Sequence, residues 1–365
     1  MTRVLILLLF FSLGACAVNT QRTSEGAVET LKEQREFDSA EAQLANARYQ
    51  DSYKLFTEFQ TRHPQSVLLQ SARLGEAKSL EGLSKWSEAI QIYNDIYKKT
   101  LRYQGDIAAR AMYNMSFAYE ALGDDMRTVT TLLDAQKLSR FLPPEVAYAE
   151  IPARLSMVYG KFERQPEAQA YFMEAEKGLR KVLDSKRDTP DKSWLAKTYF
   201  QMGSVSTNQL SAENFPQVAL GQKQVQVYLM KSIELNDPVW SARSLSHLKN
   251  TYRDLFDATK SVELTDPSRR EQQNIMGGTL IDLLNQAELY KPFNESKMNS
   301  LQVDLYSYLK EIRNQTEKLL YSNQETMALT KESEKLNSIK RILPKREKSP
   351  IPLPPKIVPS EDPNL

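Results

Sequence analysis

The feature that most limits how this chain can fold is a small-then-large pattern at helical spacing that recurs along its first half. Ser52, Phe56 and Phe59 make the first copy, Ala89, Tyr93 and Ile96 the second, Thr128, Leu132 and Ala135 the third, and Ala168, Phe172 and Ala175 the fourth. Steps of four and three residues fall on one face of an α-helix, whereas a strand would need alternation. Measured between their small residues, the copies lie 37, 39 and 40 residues apart. Ahead of the later copies runs a second helical stripe: Ala77 and Leu80, then Met115, Ser116, Tyr119 and Leu122-Gly123, then Leu155, Ser156 and Tyr159. The unit is therefore a helical hairpin in tandem, with small residues for close crossing and large ones to fill the space between hairpins.

The stretch MSFAYEALGD, residues 115–124, read with these stripes, resembles the tetratricopeptide repeat (TPR). That family repeats every ~34 residues, so the longer steps here imply longer helices or turns, as at RFLPPE, residues 140–145. The resemblance implies an all-α, TPR-like α-solenoid of helix-turn-helix repeats with a helical C-terminal cap. About four repeats are expected over 34–182 and further, irregular helical repeats with the cap over 183–323. A stretched fifth unit has TYFQMGSV, 198–205, in its first helix and YLMKSIELNDP, 228–238, ending its second. Asp237-Pro238 and Asp266-Pro267 place a capping acid ahead of a proline, so helices are expected near 238–257 and 268–290, with a last one near 296–322. Gly277-Gly278 interrupts this pattern and reads as close packing or a kink.

The two ends differ from the body. Arg3 is followed by the apolar run Val4–Leu13, too short for a permanent span of a bilayer core of ~30 Å but suited to a cleavable leader. Leu13-Gly14-Ala15-Cys16 resembles the lipobox of bacterial lipoproteins, which implies cleavage after Ala15 and a covalent lipid on Cys16, the only cysteine. By the same resemblance Ala17, where an Asp would favour the inner membrane, favours the outer one. The expected layout is a leader at 1–15, a flexible spacer at 16–33, the helical body, and a charged then Pro-rich tail at 324–365. The last 22 residues hold 7 of 17 prolines, which favours an extended, disordered segment. ARYQDSYKLFTEFQTRHPQS and the repeat after it also resemble the outer-membrane TPR lipoproteins of the BamD type, a likeness that fades after about residue 180.

Signs of catalysis are few. No HExxH, GxSxG or GxxxxGK[ST] occurs, and the two histidines, His63 and His247, stand far apart in sequence. A net charge of +2, falling to +1 without Arg3, makes no case for nucleic acid. The expectation is a chain without enzymatic activity, metal or cofactor beyond the lipid, binding protein partners in the bacterial envelope on the periplasmic face of a membrane. Its oligomeric state is left open. A rival, an envelope enzyme or glycan-binding protein on a helical solenoid, would need a deep acid-lined cleft in 185–325. In TPR folds the first helices of successive units line a groove. Carried over, this places Lys78, Glu81, Arg110, Tyr113, Phe117, Glu120, Met157 and Lys161 on it, with Tyr113 and Phe117 as aromatic anchors. The alternative is that these aromatics pack against a neighbouring helix.

Overall fold

A computed structural model of the protein describes residues 20–185, 190–204, 210–211, 213–265 and 267–322. The leader, Ala15, Cys16 and the 324–365 tail lie outside the described residues. Within them the chain is all-α, with thirteen α-helices and no strand. They are α1 (Thr20–Ala45), α2 (Tyr49–Arg62), α3 (Leu69–Gly82), α4 (Trp86–Thr100), α5 (Gly105–Ala121), α6 (Asp125–Lys137), α7 (Ile151–Lys161) and α8 (Gln165–Asp184). There follow α9 (Lys192–Gly203), α10 (Phe215–Leu235), α11 (Trp240–Lys260), α12 (Pro267–Glu288) and α13 (Ser300–Ser322). The chain forms two compact units, one of Met1–Tyr159 with Pro166–Lys186 and one of Gly160–Gln165 with Arg187–Leu365.

The first unit is built of helical hairpins, and its crossings follow from the small residues of the repeat. Ser52 of α2 meets Ser79 of α3 at 2.7 Å between hydroxyl oxygens, both buried, and Ser79 donates back to the Gly75 carbonyl in the alternative rotor. A Cβ on Gly75 would lie 2.3 Å from the nearest carbon of the Phe56 ring, so the absent side chain makes room for the aromatic. Ala89, Thr128 and Ala168 are buried in the same way, as are Phe56, Phe59, Tyr93, Ile96 and Leu132. Each fully buried Phe or Leu contributes about 1.5–3 kcal/mol through area removed from water. Phe37 of α1 completes an edge-to-face cluster, 5.9 Å from Phe56 and 6.0 Å from Phe59.

Of the spacer expected over 16–33, residues 20–33 are helix α1 and 16–19 lie outside the described residues. The nucleus of this helix is tied to the repeats: Ser66 donates to Glu33 at 2.7 Å, Arg62 pairs with Glu36 at 2.8 Å, and His63 Nε2 lies 2.9 Å from Glu36. Hydrogen bonding from His63 is the main cause that holds the Glu36 carboxyl below its usual range; burial opposes it, and the charges of Arg62 and Lys32 add to the lowering. Once such a nucleus exists, each added residue gains a backbone bond for little further entropy, and no proline stands between Thr20 and Glu33 to stop it.

The residues that lengthen the third repeat form a 3₁₀ turn at Ser139–Phe141 and a π turn at Val146–Glu150 leading into α7. π turns are rare overall and frequent at functional sites, and this one carries the buried Glu150.

In the second unit α9 and α10 pair through Gly203, whose Cβ would strike Leu229. Ser244 of α11 reaches Ser232 of α10 at 2.8 Å. Asp237 takes the Val239 and Trp240 amides at 3.0 and 2.7 Å and so caps α11, while α12 opens at Pro267. Burial would raise the Asp237 carboxyl, but these amides and the Ser193 hydroxyl hold it below its usual range. The core centres on Phe215, Leu248, Tyr252, Leu280 and Leu309, with Tyr252 donating to the buried Gln226 at 2.6 Å. Of the glycine pair, Gly277 allows Leu320 of α13 to approach, whereas Gly278 faces open space, and α12 runs through both. His247 packs edge-to-face on Phe200, and burial lowers its imidazole against the pull of Asp254.

Candidate partner-binding face

Lys78 and Glu81 of α3, Arg110, Tyr113, Phe117 and Glu120 of α5, and Arg154 of α7 share one face of the first unit. The sequence stripe brings the α5 set together because 110, 113, 117 and 120 are successive steps of three and four. Tyr113 and Phe117 stand edge-to-face with ring centres 5.0 Å apart.

Their environment corrects the idea of open anchors. The Arg154 guanidinium lies 3.7 Å over the Phe117 ring and 5.9 Å from that of Tyr113, so the neighbouring helix occupies the aromatics, as the packing alternative holds. Arg154 is fully buried and donates to Ser116 Oγ at 2.6 Å and to Glu120 Oε2 at 2.5 Å. Its Nε reaches no partner among the described residues. Met157 is buried as well, at 8% exposure, because every residue of 151–160 is covered. Arg110 and Lys161 are exposed, and Lys78, Glu81 and Glu120 are half-buried. Arg110 leans on Asp106 of its own helix at 3.1 Å.

The electrostatics of this face are dominated by desolvation. Burial pushes the Glu81 carboxyl up to about 7, against the pull of Tyr93, Lys78 and Arg154. Burial likewise draws the Lys78 ammonium down, Arg110 adds to this, and Glu81 and Glu41 oppose it. The Tyr93 hydroxyl stands beside Glu81 and is felt by it, yet neither that hydroxyl nor Glu81 Oε1 meets a partner in hydrogen-bond geometry among the described residues. Burial first, then the Glu150 carboxylate, raise the Tyr113 phenol well above its usual range. Arg154 and Glu150 were not among the residues singled out from the sequence, and Tyr93 was read there only as a packing residue of the second repeat. The signal for Arg154 was present: it is the one charge inside the run Ile151–Tyr159.

A raised carboxyl stabilises the fold fully below its unfolded value near 4.5, and that contribution is lost as pH rises through about 7. Replacing Glu81 by Gln is therefore expected to stabilise the first unit at pH 8.5 by about 2 kcal/mol and to change little at pH 4, read as urea midpoints at the two pH values.

Among the described residues no group of three or more His, Cys, Asp and Glu is arranged to hold a metal ion, and no helix is long and apolar enough to cross a membrane. No protein-family model matches the chain, and no curated protein matches it. Among solved structures, the chain is similar to a tetratricopeptide repeat protein from Parabacteroides merdae ATCC 43184. The identity is 11% and the TM-score 0.31, over 76% of this chain and 98% of that one. At that score the match adds no weight to what the helices themselves show.

Proposed function

We propose that this chain is a non-catalytic scaffold that holds a protein partner at the periplasmic face of a bacterial membrane, the outer one, through a lipid on Cys16. The observation that carries the scaffold reading is the shared face of α3, α5 and α7, where Arg110 is exposed and close enough to act on Lys78, and Lys78, Glu81 and Glu120 are half-buried. Polar groups already stripped of water bind a complementary surface with less desolvation left to overcome. The lipobox-like Leu13–Cys16 supports the tether, and the BamD-like order of leader, lipid site and repeats supports the outer-membrane, assembly-related setting. Acyl chains contributing ~0.8 kcal/mol per buried CH₂ would hold the chain on a bilayer, and confinement there raises the effective concentration of any partner beside it.

The test is in-cell photocross-linking from position 110, with position 169 on α8, also exposed, as the control. One envelope protein captured from 110 and not from 169 is the expected result; equal capture from both removes this face from the argument. The mass of the N-terminal peptide reads the tether directly: a diacylglyceryl adduct on Cys16 is expected, and an unmodified cysteine behind an intact leader would end that part of the proposal.

A further inference from the structure

The turns that link one hairpin of the first unit to the next fall on a single edge, because each hairpin returns the chain to the side where its first helix began. The Phe141 ring fills the space beside Gly105, and Tyr97 is close enough to act on Lys137, so the turn after α4 and the turn after α6 are neighbours. These two turns present Leu101, Tyr103 and Phe141 to solvent, Tyr103 at 85% exposure. Among them stand Lys98, Arg102 and Arg140, none of which is ion-paired among the described residues. Lys99 and Lys137 are answered by Asp95 and Asp134. The turn after α2, by contrast, has its charges closed by Glu33 and Glu36, and the opposite edge pairs Lys85 with Glu88 and Arg127 with Asp124.

α1 leaves the unit from this same edge. Glu33 is level with Ser66, and the helix continues from there to Thr20, about 20 Å further at 1.5 Å per residue. The turn after α4, which leads into α5, lies two helix spacings to the side, also about 20 Å at 8–10 Å each. A plane that touches both the tip of α1 and the basic turns therefore stands at about 45° to α1 and clears the neutralised turn after α2.

We propose that the turns at Lys98–Tyr103 and Arg140–Phe141 are a second foot on the membrane, resting on anionic phospholipid headgroups of the leaflet in which the Cys16 lipid is seated. This rests on the tether reading above. Unpaired cations beside exposed Tyr, Leu and Phe match a surface whose outer layer is negative and whose next layer is apolar. The foot would fix the tilt of the scaffold, and so the direction in which the partner face points.

Cys16 is the only thiol of the chain, so the chain starting there can be coupled to a maleimide lipid in preformed vesicles, whatever its natural modification. Amide exchange in 98–105 and 138–142 is expected to slow about fivefold or more on vesicles containing phosphatidylglycerol, relative to pure phosphatidylcholine. The pair Arg102→Glu with Arg140→Glu should abolish that difference while leaving exchange in α5 unchanged. Equal exchange on both vesicle types, or a difference that survives the charge reversal, overturns the foot. So would protection brought by an added protein extract and by neither lipid. Failure of natural lipidation shows instead in the N-terminal peptide mass and leaves this measurement intact.

Discussion

Gly178→Ala lowers the stability of the first unit by about 3 kcal/mol or more, a loss read as a fall in the urea midpoint. A Cβ at this position would lie 1.7 Å from the Tyr148 carbonyl oxygen and 2.4 Å from its carbonyl carbon. The obstacle is backbone, so no rotamer change relieves it; α8 must separate from the π turn. That turn carries Glu150, beside Tyr113, so the same substitution disturbs the candidate partner face without touching it. Gly278→Ala is the control of opposite sign. There the new methyl meets nothing within 4 Å in a continuous helix, and removal of glycine's extra freedom should stabilise by about 0.5–1 kcal/mol. If both substitutions destabilise alike, the close approach of α8 to the π turn is wrong.

The second large effect is expected at Arg154. Arg154→Ala removes a fully buried side chain together with its stack on Phe117 and its bonds to Ser116 and Glu120, at a cost of about 3–5 kcal/mol. Glu120→Gln should cost only about 1 kcal/mol, because Glu120 is 31% exposed and water can replace part of the pair. Arg154→Lys separates charge from shape: an ammonium keeps the charge but cannot lie flat on Phe117 while donating in two directions. It should recover less than half of the loss. A lysine variant as stable as the parent would show that charge alone holds the α5–α7 contact, and the stacking argument would fall.

These two sites mark where the sequence was readable and where it was not. Ser52, Phe56, Phe59, Ala89, Tyr93 and Leu132 announced themselves by spacing, because burial on one helix face imposes a period on the residues themselves. All of them are buried in the structure. The helices beginning at Trp240 and Pro267 were legible from Asp-Pro pairs, since capping is a local event within a few residues. The continuation of α1 back to Thr20 was not legible. TQRTSEGAVETLK has no apolar stripe, and its helix depends on bonds from Glu33 and Glu36 to residues 26 to 33 positions away.

The candidate face divides in the same manner. Its α5 members lie on one helix and share a side by arithmetic, so Arg110, Tyr113, Phe117 and Glu120 could be named together. Whether they face a partner or a neighbour depended on Arg154, 34 residues beyond Glu120 and on another helix. The fate of Met157 likewise turned on what covers α7.

By itself, then, the order of residues determined the helices, their pairing into hairpins and the close crossings, because each is set by periodicity or by contacts between consecutive elements. Tertiary structure alone decided which polar groups lose water. Desolvation belongs to no single helix: it arises where several pack around one atom, and that is what raises Glu81, lowers Lys78 and seals Arg154 against Phe117.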